Sequence, residues 1–300
     1  MTPPGEKPAP LFVDRDVQVF EGEAARERLE RTNDARFVDG DLGVVAVDDA
    51  RWREAQAYER RTWMEIGLSA ADDHNREYLQ WFEDYAPLRG RHFERAIELG
   101  CGPFTNLRLI LQVARARRVH LLDPLAEDYL RHPHCRYRGR RLGGALSGLR
   151  SLGRSWRGPL GGLGEAIDAL RTGGLAGVPV EIEAVPIEGF RTGHRFDLVV
   201  MINVLEHCRD ARAVFGKIEE ILSPGGVLVF HDRLWAPDEI QRTISQLYDA
   251  GHPLRVGRDL AMEFVGRFRP ILRTERKVVD VEEGIRLERT ALSFIGSKPG

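Results

Sequence analysis

From Phe93 onward, apolar runs of strand length alternate with stretches of helical periodicity, which predicts a parallel sheet with helices on both faces. Strands are expected over 95–99, 118–122, 180–185, 196–202 and 227–230, and 196–202 is the most apolar and reads as central. Helices are expected over 105–116, 126–130, 211–222, 238–248 and 258–268. Ser223-Pro224-Gly225-Gly226 predicts a tight turn, with proline fixing one φ and glycine taking a positive one. Segments 272–281 and 285–295 alternate polar and apolar residues around Glu282-Glu283-Gly284, the pattern of an antiparallel hairpin at the sheet edge.

Ahead of the sheet, 36–47 reads as a short hairpin or a loop against the core. Asp48 or Asp49 caps a helix carrying Trp52, Ala55, Tyr58 and Trp63, and Asp72 or Asp73 caps a second with Tyr78, Trp81, Phe82 and Tyr85. Aromatic stripes of this kind are expected to pack on the sheet edge; the alternative is that they roof a site.

Length and composition narrow the picture. With 300 residues and 42% hydrophobic content, the chain fits one α/β domain with extensions: a tail and helical cap over 1–90 and a main domain over 91–300. Residues 131–178 interrupt the alternation as an insertion, arginine-rich and without an acid between Asp128 and Glu165. A net charge of -2 gives no global argument for nucleic acid or membrane. The Pro-rich start lacks the apolar stretch of a signal peptide, no run is long enough to span a bilayer, and the three cysteines have neither disulfide nor metal spacing. A soluble cytoplasmic protein without a bound metal is the expectation.

The candidate chemistry begins where the first strand breaks at Glu98-Leu99-Gly100-Cys101-Gly102-Pro103. Gly100 and Gly102 allow positive φ and close backbone approach to a ligand, and the following helix directs free N–H groups at it. A dinucleotide fingerprint requires glycine or alanine where Thr105 stands, and Glu98 repels a pyrophosphate; a phosphate-free cationic adenosine derivative suits both residues better. Asp123-Pro124 ends the second strand, where a carboxylate accepts from two ribose hydroxyls. Ile187-Glu188 ends the third and Asn203-Val204 follows the fourth, so these strand ends converge on one crevice.

These residues, together with Phe196-Asp197-Leu198-Val199-Val200, Asn203-Val204-Leu205-Glu206-His207 and Ser223-Pro224-Gly225-Gly226-Val227-Leu228, resemble the class I S-adenosylmethionine-dependent methyltransferases, of small-molecule or sugar type. The resemblance implies a Rossmann-like, seven-stranded, mostly parallel α/β sheet with an antiparallel C-terminal hairpin, and S-adenosyl-L-methionine as cofactor. It implies that Glu98 and Gly100, Cys101 and Gly102 hold the methionine end. Asp123 and Pro124 then serve the ribose, Ile187 and Glu188 the adenine region, and Asn203 and Val204 the sulfonium side. Phe104, where the family often has a third glycine, and the long insertion are departures from the pattern.

Methyl transfer mainly requires alignment and exclusion of water, with a general base for weak nucleophiles. His231 is expected to be that base and His207 a substrate or cofactor contact, since topology brings both to the strand ends; Asp197 is assigned to structure at the opposite end. The expected acceptor is a small molecule, such as a sugar, a surface-polysaccharide intermediate or a secondary metabolite. Alternatives use the basic insertion to bind RNA or protein, with Tyr137 and Trp156 stacking, or to lie on a membrane or other anionic ligand serving a lipid-linked acceptor. A non-catalytic binding module is the last alternative.

Overall fold

The computed structural model describes residues 11–15, 17–19, 37–66, 73–137, 175, 177–282 and 284–300. Most of the 131–178 insertion, Trp156 included, lies outside them. In chain order the strands are β1 (Phe12–Asp14), β2 (Val17–Val19), β3 (Gly43–Val44), β4 (His92–Leu99), β5 (Arg115–Leu122), β6 (Val180–Glu183), β7 (Phe196–Ile202), β8 (Leu222–Trp235), β9 (Arg255–Val256), β10 (Arg269–Glu282) and β11 (Ile285–Ser297). The helices are α1 (Asp49–Arg61), α2 (Leu107–Ile110), α3 (Ala126–Tyr129), α4 (Ala211–Ile221), α5 (Pro237–Thr243) and α6 (Arg258–Val265).

The main sheet has seven strands in the order β10-β11-β8-β7-β4-β5-β6, with β7 in the middle as its apolar run requires. Neighbours from β8 through β6 run parallel, and β11 pairs antiparallel with both β8 and β10. The two-residue period of a strand divides β7 between two cores. Val199 and Met201 enter the core beneath α4 and α6, where Phe215 stacks on Phe264 at 4.1 Å. Leu198, Val200 and Ile202 enter the other, with Phe82, Tyr85, Leu88, Leu107 and Ile110. Asp197 holds the far end of β4, accepting from the Glu94 N–H at 2.7 Å.

Several boundaries differ from the sequence reading. The helix after the glycine loop is a single turn, because β5 pairs with β4 from Arg115 onward and the chain must already be back at the start of the sheet. Residues 223–226 are drawn into β8, where Gly225 at φ 72° donates its N–H to Lys298 O at 3.0 Å. Within the 36–47 segment Val38 and Val44 form a single antiparallel bridge, and β3 also pairs with distant β9.

In α1, Asp48 accepts from the Arg51 N–H at 2.9 Å as the capping pattern predicts. The second expected cap helix consists instead of 3-10 turns over His74–Trp81 and Glu83–Leu88, broken by Glu83, Asp84 and Tyr85 at positive φ. Asp73 does not cap it, because its carboxylate pairs with the buried guanidinium of Arg108. Among the described residues no helix is long and apolar enough to cross a membrane.

Candidate active site

Glu98, at the end of β4, organises the loop that follows it. Its carboxylate accepts from the Thr105 hydroxyl, from the Asn106 N–H at 2.7 Å, from Asn106 Nδ2 at 3.0 Å and from the Leu107 N–H at 3.0 Å. Burial raises its pKa and these donors oppose the rise. With 1% exposure it forms no part of the cavity wall, so the expected direct contact with a cofactor's methionine end is corrected. The reason is local: the α2 N-terminus offers donors nearer than any ligand, and they satisfy the acid.

The two glycines have different reasons for being glycine. At Gly100, φ 66°, a Cβ would stand 2.2 Å from Val204 Cγ1, so the position is closed by the protein itself. At Gly102, φ 51°, a Cβ would meet nothing within 4 Å, leaving the backbone open to a ligand. Cys101 between them is buried and its thiol donates to the Tyr137 hydroxyl at 3.2 Å. Tyr137 is fully buried there, which removes it as a stacking platform for RNA.

Asp123 follows β5 on the cavity wall. One oxygen accepts from the Gly102 N–H at 3.0 Å and the other from the Leu125 N–H at 2.8 Å. Each oxygen keeps acceptor capacity for a further partner. Burial pushes its pKa up to about 6 against those two bonds. Glu188, in the turn Ile187–Gly189, accepts from the Arg209 and Asp210 N–H groups through one oxygen, leaving the other without a hydrogen bond among the described residues. Asn203 sits at φ 57° with its amide oxygen buried and unpartnered among the described residues, and Val204 closes over Gly100.

These residues border a cavity of about 510 Å³, a size typical of small-ligand sites. Gly100, Cys101, Gly102, Asp123, Pro124, Ile187, Glu188, Asn203, Val204 and His207 all reach its wall, as the strand-end argument requires. Trp52, Trp63 and Tyr78 reach it from the N-terminal segments, so part of the aromatic stripe roofs the site. Arg108 and Asp73 tie that roof to the floor, and the Gln56 side chain donates to His207 O at 3.3 Å.

The two histidines part company. His231 is 1% exposed, bonded through Nδ1 to Ser293 Oγ at 2.9 Å and surrounded by the rings of Tyr78, Trp81 and Phe82. Burial, then Arg233, lowers its pKa to about 3. The expectation that it is the base is therefore corrected: β8 continues past it into the sheet, and the roof covers it. His207 remains on the wall, its Nδ1 3.2 Å from Gly251 O and 3.6 Å from Glu59 Oε1, with the His252 ring 4.6 Å away. Burial disfavours charge on His252, but Asp249 and Glu206 hold its pKa well above the usual imidazole range.

Glu59, Gln56, Glu77 and Arg233 also line the cavity and escaped the sequence reading. Glu59 stands one position after Tyr58 in the aromatic stripe, and its place opposite His207 is set by how α1 packs.

The wall tests which nucleotide-like group fits. It carries four carboxylates, Glu59, Glu77, Asp123 and Glu188, of which Asp123 accepts from the open Gly102 backbone, and Arg233 is its single arginine or lysine among the described residues. That donor set fits a phosphate-free, positively charged adenosine derivative and disfavours a pyrophosphate.

A family model described as Methyltransferase domain matches residues 71–264. Among solved structures, the chain is similar to the N-methyltransferase NodS from Bradyrhizobium japonicum WM9, at 16% identity over 76% of this chain and 99% of that one, TM-score 0.42. It is similar to TehB from Haemophilus influenzae at 10% identity over 80% of this chain and 67% of that one, TM-score 0.43. It is also similar to the 1,6-didemethyltoxoflavin-N1-methyltransferase of Burkholderia thailandensis, at 13% identity over 98% of this chain and 100% of that one, TM-score 0.38. No curated protein matches the chain in sequence. The family match spans the glycine loop, the acidic strand ends and the segment through His207, and with it the chain belongs to the methyltransferase domain family and is an S-adenosylmethionine-dependent methyltransferase.

Proposed function

We propose that the chain methylates a small-molecule acceptor, of the sugar or secondary-metabolite kind, held between the aromatic roof and the strand ends. S-adenosylmethionine, when bound, supplies an electrophilic methyl group on a cationic sulfur. The free acceptor positions of Asp123 serve the ribose hydroxyls, with Pro124 beside them; Glu188 and Ile187 border the adenine. The backbone of Gly100, Cys101 and Gly102 receives the methionine end, and Glu98 is a positioning residue acting through that loop. Asn203 and Val204 stand on the sulfonium side, where the unpartnered Asn203 oxygen faces positive charge favourably. Trp52, Trp63 and Tyr78 exclude water from the line of transfer.

His207 takes the acceptor end, as the imidazole of the original pair that reaches the wall. The observation that carries the small-acceptor reading is the roof: Trp52, Trp63 and Tyr78 stand over the strand ends and share one cavity of about 510 Å³ with them. The thiols of Cys101 and Cys208, buried outside any disulfide, support a reducing compartment such as the cytoplasm.

The test is transfer of a labelled methyl group from S-adenosylmethionine to four acceptor pools: a low-mass metabolite extract, bulk RNA, denatured protein and a lipid extract in vesicles. Label in the low-mass pool alone is the expected result. Label confined to RNA, protein or lipid would overturn the acceptor class, and no transfer to any pool would favour a binding module.

A further inference from the structure

One side-chain cluster at the acceptor end has a chemistry that cofactor binding does not use. Glu59 from α1, His207 after β7 and His252 before β9 converge so that one oxygen and two imidazole nitrogens lie within 4.8 Å of one another. Glu59 and His207 are on the cavity wall. His252 is fixed through Nδ1 by Asp249 Oδ2 at 2.7 Å, and its Nε2 faces Glu206 Oε1 at 3.7 Å. The Glu59 carboxylate is oriented by the Trp63 indole N–H at 3.0 Å.

We propose that Glu59, His207 and His252 bind a divalent transition-metal ion, zinc by the chemistry of the donors, with Asp249 orienting His252 and Glu206 as a further carboxylate beside the ion. Two imidazoles and one carboxylate form a three-ligand set that leaves a coordination position open, and magnesium or calcium would call for oxygen donors instead. A carboxylate behind a ligating histidine is the arrangement that fixes ring and tautomer in metal sites. Ligand bonds near 2.1 Å place tetrahedral donors roughly 3.4 Å apart, so binding draws the three groups together by about 1 Å, within reach of side-chain rotation.

The charges around the cluster allow it. Carboxylates of Glu59, Glu206 and Asp249 face it, while each of the nearby cations is held in bonds of its own, Arg289 in part by Glu206. Arg51 donates to Ala250 O and Asp249 O, Arg255 to Leu247 O and Thr243 Oγ1, and Arg289 is divided among Glu206, Asp280 and Glu282. An open coordination position at this end of the cavity selects an acceptor with an oxygen lone pair to place there. That last consequence rests on the small-acceptor reading above; metal binding does not.

The experiment titrates the full chain, stripped with chelator, with zinc sulfate in a calorimeter, and records the visible spectrum of the Co2+-loaded chain. One equivalent of zinc is expected, with the ligand-field bands of a four- or five-coordinate Co2+. Glu59→Gln, His207→Gln and His252→Gln should each weaken zinc by about 100-fold and abolish the bands, with an unchanged far-ultraviolet circular dichroism spectrum as the check on folding. Absence of stoichiometric zinc binding would overturn the proposal. So would zinc binding that survives the double His207→Gln, His252→Gln variant, or that is removed by changing His132 and His134, the other adjacent histidine pair, whose rings are 5.6 Å apart. Failure of zinc binding with methyl transfer to small molecules intact removes the metal alone. Zinc bound as expected with label only in RNA, protein or lipid removes the small-acceptor reading alone.

Discussion

Beneath the floor of the cavity, Glu98 and the donors that hold it are separated by at most nine residues of sequence. In the roof, Asp73 meets Arg108 across 35 residues, Gln56 meets His207 across 151, and Arg51 meets Ala250 across 199. The floor is therefore a local structure, formed as soon as β4 meets its loop and adjoining strands. The roof exists only once the whole sheet is assembled. Damage to the floor should reach both fold and cofactor, whereas damage to the roof should separate acceptor chemistry from cofactor binding.

The largest effect is expected from Glu98→Ala, which strands the buried donors of Thr105, Asn106 and Leu107; a loss of about 4 kcal/mol in urea unfolding, with S-adenosylhomocysteine binding lost, is the expected outcome. A stable variant that still binds would show that the loop does not need its local acid. Asp73→Ala leaves the Arg108 guanidinium buried without its carboxylate, and should cost about 3 kcal/mol. If the roof and floor are joined there, 3-10 turn residues such as Tyr78 should gain hydrogen exchange before β4 does.

Asp123→Asn should weaken S-adenosylhomocysteine by about 10- to 100-fold in calorimetry, since it exchanges an ionised acceptor for a neutral amide. The same carboxylate sets a pH signature. Its pKa of about 6 lies above the ordinary value of 3.8, so as pH falls through 6 the folded protein protonates it and the ribose loses an acceptor. Affinity should decline on that limb in the native chain, and the decline should be absent in Asp123→Asn.

Trp63→Ala should lower turnover of the acceptor about tenfold while changing S-adenosylhomocysteine affinity less than about threefold, because its indole belongs to the roof. Equal losses in both would merge the two regions functionally. A second pH signature concerns His231. Its folded pKa of about 3 lies below the unfolded value of 6.5, so its contribution to stability is present above pH 6.5 and is lost as pH falls toward 3. Replacing it with leucine should flatten that limb of the stability profile; a shift in the pH optimum of methyl transfer instead would restore it as a base.

Several elements were legible because their signal is short-range. The run Phe196–Ile202 is apolar apart from Asp197 and became the central strand with those bounds. The Asp48 cap and the C-terminal hairpin likewise followed from spacing over a few residues. The 74–88 segment misled because its aromatics have helical spacing, whereas Asp73 is drawn to Arg108 and three successive residues take positive φ. His231 misled for a related reason: a strand end predicts exposure to the crevice only where the strand stops, and β8 runs on to Trp235.

The sequence by itself determined the parallel sheet, the order of its acidic strand ends and the glycine loop, because each depends on side-chain alternation and backbone freedom within a few residues. Only the tertiary structure decided that Glu98 serves the loop, that His231 is sealed beneath Tyr78 and Trp81, and that Glu59, His207 and His252 share one corner of the cavity. Those outcomes depend on which distant donor, ring or charge is nearest after packing, and no local pattern carries that information.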